Sequence, residues 1–281
     1  MRTISLLLLF SVVVLAASAE PFVPNRRAHA HNDYEHSRPL ADALDQGFCS
    51  VEADVYLVDG KLLVAHNRKD CRPERTLESL YLEPLQKRVR QNGGVFPGVV
   101  GFCLWLDVKV DSAKTKGDEA KNKEESENTC KRINELLEQY SGMLTQFSER
   151  QVKTNAVTVI LTGSHSEMSP KGMQYVCYDS TSAKAVSEPP QKFSLALSEN
   201  WTHLFTWRGD GKMPALEKDR LRDLIAEAHA HGKRVRFWAT PEKVPVWNEL
   251  LAADVDWIGT DHLKELAEFL NMQDKQPLAT K

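Results

Sequence analysis

Residues 101–110 have the sequence Gly-Phe-Cys-Leu-Trp-Leu-Asp-Val-Lys-Val, a strand-length run whose alternation decides the fold. Because successive side chains of a β-strand point to opposite faces, one face is wholly apolar. The other face carries Cys103, Trp105, Asp107 and Lys109. A barrel of parallel strands packs its outer face against helices and opens the carboxyl end of its inner face to the active site. The run therefore predicts a (β/α)8 barrel with Asp107 and Lys109 at the mouth.

Strand-length apolar runs alternate with amphipathic helical stretches along the rest of the chain, which is typical of a parallel α/β domain. The eight predicted barrel strands are residues 27–31, 50–56, 101–110, 156–161, 174–178, 193–198, 235–239 and 256–260. A short arm at 61–65 is predicted to pair with the end of the second strand. Helices are predicted at 39–46, 76–91, 119–147, 214–231, 244–252 and 263–271.

The first 19 of the 281 residues have the features of a cleaved secretory signal. Arg2 precedes an apolar run over residues 6–15, and Ala17-Ser18-Ala19 supplies the small residues that signal peptidase accepts. We therefore expect export to the periplasm or the medium, and one barrel domain over residues 20–281. Because no other apolar run is long enough to span a bilayer, we expect no stable membrane insertion.

The charge balance limits the partners. Lys and Arg number 36 against 39 Asp and Glu, for a net charge of −3. No basic field is available to attract nucleic acid by charge alone, so any phosphate chemistry must rest on a local site. We expect a monomer that acts on a small-molecule or lipid phosphodiester.

Five cysteines remain after the predicted signal, an odd number for an exported protein. Cys49 and Cys71 both border the stretch with the richest chemistry, so we consider a disulfide between them as a hypothesis. The pairing of the other three, Cys103, Cys130 and Cys177, is left open.

Three acidic residues are predicted to converge at the barrel mouth. Glu52 and Asp54 stand two apart in the second strand and therefore share a face, and Asp107 lies in the next strand. We call these residues the carboxylate triad. Three carboxylates cannot easily all remain ionised together without a cation, and oxygen ligands favour Mg2+ or Ca2+ over Zn2+. The sequence therefore predicts a divalent cation site.

Two histidines flank this predicted site. His31 follows the first strand, and His66 follows the short arm. Phosphodiester cleavage needs one group to remove a proton and another to donate one, and histidine titrates near the working pH for both tasks. We assign His31 and His66 to these roles without deciding which is the base. Lys109 would stabilise negative charge on the phosphate oxygens.

These motifs resemble those of a known superfamily and are spread over the chain. They are His31, Glu52-Ala53-Asp54, His66 and Asp107-Val108-Lys109, with support from Arg236-Phe237-Trp238 and from residues 256–261. The chain resembles the superfamily of phosphatidylinositol-specific phospholipases C and glycerophosphodiester phosphodiesterases, which are TIM barrels. Residues 31–34, 50–55 and 76–82 look like the branch containing the fungal altered-inheritance-of-mitochondria protein six.

The resemblance implies a phosphoric diester hydrolase in which His31 and His66 are the catalytic pair and the carboxylate triad holds Mg2+ or Ca2+. It implies that Lys109 contacts the substrate phosphate and that Trp238 is an aromatic residue at the mouth. Glycerophosphodiesterases usually carry His-Arg-Gly where this chain has His-Asn-Asp, so Asn32 becomes a possible neutral metal ligand. The resemblance thus supports the reaction type more than it defines the substrate.

Two alternatives stay open on the sequence alone. His29 and His31 form a His-x-His pair after the first strand, which also opens the amidohydrolase type of metal-dependent barrel. That class would have further histidines at the ends of the fifth and sixth strands, and residues 174–178 and 193–198 contain none. The second alternative is a barrel that binds a phosphorylated ligand without cleaving it.

Overall fold

The computed structural model describes residues 23–99, 101–110, 119–166, 172–180 and 193–275. The predicted signal at 1–19 lies outside these residues. Eleven strands are present in them: β1 Asn25–Ala30, β2 Phe48–Val58, β3 Lys61–Val64, β4 Phe102–Val108, β5 Gln146–Phe147, β6 Val152–Lys153, β7 Val157–Gly163, β8 Val176–Ser180, β9 Ser194–Asn200, β10 Arg234–Trp238 and β11 Trp257–Thr260.

Eight parallel strands close into a barrel. Their order is β1-β11-β10-β9-β8-β7-β4-β2, and β2 pairs back onto β1 to complete the ring. Every predicted barrel strand overlaps one of these eight. The predicted (β/α)8 barrel is therefore confirmed, and the carboxyl ends of all eight strands open at one mouth.

Seven α-helices are described: α1 Ala41–Asp45, α2 Glu83–Asn92, α3 Glu119–Glu138, α4 Trp201–Leu204, α5 Ala215–Ala230, α6 Val244–Ala252 and α7 Leu263–Lys275. A π-helical turn over Glu78–Leu82 leads into α2. In the described residues, no helix is both long enough and apolar enough to cross a bilayer.

The predicted helix over residues 119–147 is too long. Helix α3 ends at Glu138, and the chain then turns so that the Thr145 amide donates to the Val157 carbonyl oxygen at 2.8 Å. Strand β5 pairs with β6 in a separate two-stranded sheet. The segment beyond Glu138 therefore contacts the amino-terminal end of β7. Helical periodicity in the sequence does not reveal such a tertiary contact.

The predicted short arm is confirmed as β3, which forms an antiparallel hairpin with β2. Asp59 and Gly60 form its two-residue turn, both with positive φ, 49° and 76°. After β3 the Ala65 amide donates to the Asp54 carbonyl oxygen at 3.3 Å. The hairpin therefore returns the chain to the barrel mouth, where His66 follows.

The hypothesised disulfide between Cys49 and Cys71 is wrong, because the structure has no such bond. Cys49 is buried near the amino end of β2. The segment carrying Cys71 follows β3. It leaves β3 beside Asp54 and returns where the Val64 amide donates to the Arg75 carbonyl oxygen, so it lies at the end of β2 away from Cys49. A disulfide requires Cα atoms within about 7 Å, which opposite ends of one strand do not provide.

Aromatic and guanidinium groups fill the interior of the barrel. Trp105 and Trp257 meet edge to face with ring centroids 5.1 Å apart, and both are buried. The Arg236 guanidinium lies 4.0 Å from the Trp105 ring, and that of Arg234 lies 3.7 Å from the Trp257 ring. We call these four side chains the cation–aromatic layer. It forms the floor under the barrel mouth.

A buried carboxyl group anchors the loop that follows β1. Asp33 is fully buried and accepts hydrogen bonds from the Leu40 amide at 2.6 Å and the Tyr81 hydroxyl at 2.8 Å. Burial raises the pKa of Asp33 to about 6, although both hydrogen bonds oppose that rise. The anchor holds the loop that carries Asn32 and Tyr34 against the mouth.

Candidate active site

The carboxylate triad converges as predicted. Asp54 on β2 and Asp107 on β4 are register partners in adjacent parallel strands, and Glu52 lies one pleat below Asp54. One oxygen from each of the three carboxylates lies within 4.8 Å of the other two. Glu52 and Asp54 are buried. Three acidic groups thus face one another at the carboxyl end of two neighbouring strands.

The electrostatics of the triad fit a divalent cation. Burial raises the pKa of Asp54 to about 6, and the charge of Asp107 adds to the effect. Burial also raises the pKa of Asp107. The Oδ2 atom of Asp54 is buried, with Lys109 Nζ 3.1 Å and His66 Nδ1 3.5 Å away. A hard cation would satisfy that oxygen, and an all-oxygen donor set suits Mg2+ or Ca2+.

A glycine makes room for the Asp107 carboxylate. Gly163, the last residue of β7, has φ +74°, and a Cβ atom placed on it would overlap Asp107 Oδ1. The same Cβ would lie 3.0 Å from both Asp107 Cγ and the Val108 carbonyl oxygen. The absence of a side chain at residue 163 is therefore part of the geometry of the triad.

Lys109 lies at the edge of the triad, as predicted. Its Nζ is 2.5 Å from Asp107 Oδ2 and 3.1 Å from Asp54 Oδ2. Burial lowers the pKa of Lys109, but the two carboxylates outweigh burial and raise the pKa above its ordinary value. The ammonium group therefore stays charged and is available to a phosphate oxygen.

Arg236 is a site residue that the prediction missed. Its Nη1 lies 2.6 Å from Glu52 Oε2, its Nε donates to Ser198 Oγ at 2.9 Å, and the residue is 4% exposed. Burial by itself raises the pKa of Glu52, but Arg236 outweighs it and holds that pKa well below its usual range. The available signal was the alternation of β10, which puts Arg234, Arg236 and Trp238 on one face.

His29 lies beneath the mouth and has both ring nitrogens engaged. Its Nδ1 is 2.8 Å from Ser50 Oγ, and its Nε2 is 2.9 Å from Arg236 Nη1. Burial, reinforced by the charge of Arg236, lowers the pKa of His29 to about 4. The same Nε2 lies 3.1 Å from Glu52 Oε2, so both ring nitrogens of His29 already have buried partners and neither is placed to bind a metal. The geometry therefore disfavours the amidohydrolase alternative, which needs His29 as a ligand.

His31 lies at the mouth and is paired with an acid from the last strand. Its Nδ1 is 2.8 Å from Asp261 Oδ1, and the His31 side chain is 37% exposed. Burial lowers the pKa of His31, but the hydrogen bond to Asp261 and the charge of Glu52 outweigh it and raise the pKa. Asp261 fixes the orientation of the ring and leaves Nε2 as the nitrogen that can exchange a proton with a ligand.

His66 lies on the other side of the triad. Its Nδ1 is 3.1 Å from the Tyr34 hydroxyl and 3.5 Å from Asp54 Oδ2. The Tyr34 hydroxyl also donates to Asn32 Oδ1 at 3.0 Å, and Asn32 has a left-handed backbone with φ 47°. The structure thus brings Asn32 beside both predicted catalytic histidines, while its role as a metal ligand stays a prediction.

One cleft of about 640 Å³ opens at the mouth and is lined by His31, Asn32, Glu52, His66, Asp107, Lys109 and Arg236. The wall beside Asp107 is polar. Thr162 is the register partner of Asp107, and Asp179 accepts hydrogen bonds from Thr162 Oγ1 at 2.6 Å and from His165 Nε2 at 3.1 Å. Trp238 lies at the rim with 44% of its surface exposed, as expected for an aromatic residue at the mouth. Its contact with substrate stays a prediction.

Residues 20–97 match the model of the AIM6-like phosphodiesterase domain family. The matched stretch contains His31, Glu52, Asp54 and His66.

Two fungal relatives match over most of the chain. The altered inheritance of mitochondria protein 6 of Eremothecium gossypii is 25% identical over 281 residues, covering 86% of this chain and 69% of that protein. The protein of the same name from Saccharomyces cerevisiae is 28% identical over 254 residues, covering 76% of this chain and 61% of that protein. The chain thus spans roughly two thirds of the length of these relatives.

Two solved structures align with the barrel at low identity. A glycerophosphodiester phosphodiesterase from Parabacteroides distasonis aligns with a TM-score of 0.48 at 14% identity, covering 91% of this chain and all of that one. One from Agrobacterium tumefaciens aligns with a TM-score of 0.48 at 13% identity, covering 87% of this chain and all of that one.

The family-model match and the two long alignments confirm the resemblance predicted from the sequence: the chain is similar to the AIM6-like phosphodiesterases.

Proposed function

We propose that the protein is a divalent-cation-dependent phosphodiesterase that cleaves a glycerophosphodiester or a phospholipid-headgroup type of phosphodiester. One observation carries the proposal. Three carboxylate oxygens lie within 4.8 Å of one another between two histidines, each of which has a partner on Nδ1. This arrangement combines a cation site with two groups able to transfer protons.

The histidines would carry the proton transfers. Asp261 engages Nδ1 of His31, and the Tyr34 hydroxyl engages Nδ1 of His66. Each histidine therefore has Nε2 available to the ligand. One would remove the proton from the attacking hydroxyl or water, and the other would protonate the leaving oxygen. The geometry supports the pair without favouring either direction of transfer.

Two cations of the chain are placed to receive a phosphate group. Lys109 lies beside the triad, and Arg236 extends from Glu52 towards the Thr162 hydroxyl, with Nη2 3.4 Å from it. Both line the cleft and can donate to phosphate oxygens as negative charge develops there. The carboxylate triad would hold Mg2+ or Ca2+, and when bound the cation would polarise a phosphate oxygen.

The test is hydrolysis of bis(4-nitrophenyl) phosphate and of glycerophosphocholine, before and after treatment with EDTA and re-addition of Mg2+, Ca2+ or Mn2+. We expect cation-dependent turnover that falls by about 100-fold or more in Asp107→Asn and in His66→Ala. His231→Ala is the matched control, since His231 is exposed and does not line the cleft. Turnover that survives EDTA and both site variants would contradict the proposal.

Product analysis narrows the reaction further. A cyclic phosphate detected by 31P NMR would show that a hydroxyl of the substrate attacks phosphorus, and a phosphomonoester formed directly would show that water does. Tight binding of glycerol 3-phosphate without turnover of any phosphodiester would instead favour the non-catalytic alternative.

We also propose that residues 1–19 direct export. Amino-terminal sequencing of protein recovered from the medium or periplasm should then begin near residue 20. Cytosolic protein with its first residues intact would contradict this.

A further inference from the structure

A second acidic residue stands behind the His31–Asp261 pair. Glu242 lies in the connection between β10 and α6, and one of its oxygens, Oε2, faces the end of β11. It accepts hydrogen bonds from the Thr260 hydroxyl, from the Asp261 amide at 3.0 Å and from the His262 amide at 3.3 Å. Three successive residues of the chain around Asp261 are therefore held by a single carboxylate oxygen.

Asp261 needs such support because its side chain is half exposed. Its carboxylate has 50% of its surface accessible and still lies 2.8 Å from Nδ1 of His31. An exposed side chain on an unsupported loop loses conformational freedom when it is held in one geometry, and that entropy opposes the contact. A backbone already fixed by Glu242 removes part of that cost.

The contacts of Glu242 with Thr260, Asp261 and His262, which we call the Glu242 clamp, also join the loop after β10 to the ends of β1 and β11. The His31 amide donates to the Thr260 carbonyl oxygen at 3.1 Å, so the ends of β1 and β11 are already tied together. Glu242 ties the loop after β10, the strand that carries Arg236 and Trp238, to the same point. A small cavity of about 130 Å³ lies among these groups and is lined by His31, Glu242 and Asp261.

We propose that Glu242 is a positioning residue, which fixes the backbone at Asp261 so that Asp261 orients the imidazole of His31. Glu242 acts through the Asp261 and His262 amides and takes no part in proton transfer. The inference rests on the proposed function for its kinetic consequence. Its structural consequence, an ordered His31–Asp261 hydrogen bond, is independent of that function.

The test compares Glu242→Ala and Glu242→Gln with a matched clamp elsewhere in the barrel. Glu217 on α5 accepts the Thr206 hydroxyl and two backbone amides, those of Thr206 and Trp207, each at 3.0 Å. Glu217→Ala therefore removes the same kind of contact without touching the cleft. Glutamine keeps the accepting oxygen and should rescue the clamp.

Two readouts are expected to change together. The downfield proton resonance of Nδ1 of His31, identified by its loss in Asp261→Asn, should disappear in Glu242→Ala and persist in Glu242→Gln and Glu217→Ala. The kcat should fall by about 10-fold or more in Glu242→Ala, with KM and cation affinity unchanged. The Glu242→Gln variant should keep most of the wild-type kcat.

A persistent His31 resonance in folded Glu242→Ala would overturn the inference, as would an equal loss of kcat in Glu217→Ala. If Glu242→Ala does not fold, a normal resonance in Glu242→Asp, whose carboxylate is one methylene shorter, would overturn it and a lost one would support it. If no phosphodiester is turned over at all, the proposed function fails while the resonance still tests the clamp.

Discussion

Replacing Gly163 by alanine should damage the cation site through a single methyl group. The Cβ atom would overlap Asp107 Oδ1 and come within 3.0 Å of Asp107 Cγ, so the carboxylate must move by about an ångström to relieve the contact. A displacement of that size at a ligand costs on the order of 10- to 100-fold in affinity. Separately, the φ of +74° costs a non-glycine residue about 1–2 kcal/mol of folding free energy.

Gly93→Ala separates the two effects. Gly93 has the same φ of +74° at the end of α2, and a Cβ atom there would meet nothing within 4 Å among the described residues. In urea denaturation without cation, Gly93→Ala should lose about 1–2 kcal/mol, and Gly163→Ala should lose at least as much because its Cβ also meets Asp107 and the Val108 carbonyl oxygen. Isothermal titration with Mg2+, Ca2+ or Mn2+ should show weakened binding in Gly163→Ala alone. A tenfold loss also removes about 1.4 kcal/mol of cation-induced stabilisation. Equal affinity in the two variants would refute the reasoning.

Three further outcomes are expected. Asp261→Asn should move the His31-governed limb of the pH–rate profile to lower pH, because the Asp261 carboxylate raises the pKa of His31; an unmoved limb would contradict that pairing. Arg236→Met should lower the free energy of unfolding by about 3–5 kcal/mol, because it leaves the buried Glu52 carboxylate without its positively charged partner and with only His29 beside it. Adding Glu52→Gln should restore part of the loss in urea melts. The folded-state pKa of Asp33 is about 6 against an ordinary 3.8, so its proton stabilises the fold at low pH. This contribution, at most about 3 kcal/mol, should be lost as the pH rises from about 4 to 6, and Asp33→Asn should remove this pH dependence of unfolding.

Much of the barrel could be predicted because the alternation of inward and outward side chains can be recognised within each strand's own sequence. The alternation in residues 101–110 assigned Trp105 and Asp107 to the interior, and the two-residue spacing of Glu52 and Asp54 put both on one face. Parallel pairing of β2 with β4 then brings Asp54 opposite Asp107. The carboxylate triad thus follows from local periodicity together with one property of the fold, that parallel strands end at one mouth.

Strand and helix periodicity did not identify the residues whose roles depend on a partner far away in the sequence. Arg236 lies 184 residues from Glu52 along the chain, and Asp261 lies 230 residues from His31. The alternation of β10 puts Arg236 on the inner face of the barrel, but its partner Glu52 is identified only when the barrel closes and brings β10 opposite β2. The helix predicted through residue 147 failed for a similar reason, since the stretch after Glu138 packs as turns against β7.

The cation–aromatic layer bears on how the protein could be re-engineered. Arg236 packs on Trp105 within this layer and also holds Glu52 of the cation site, so a single side chain serves both the barrel interior and the cleft above it. A mutant library that randomised the whole inner face would therefore lose most of its members to misfolding before any could be selected for a new substrate. Diversity is better confined to the rim near Trp238, where side chains are exposed and folding depends little on their identity.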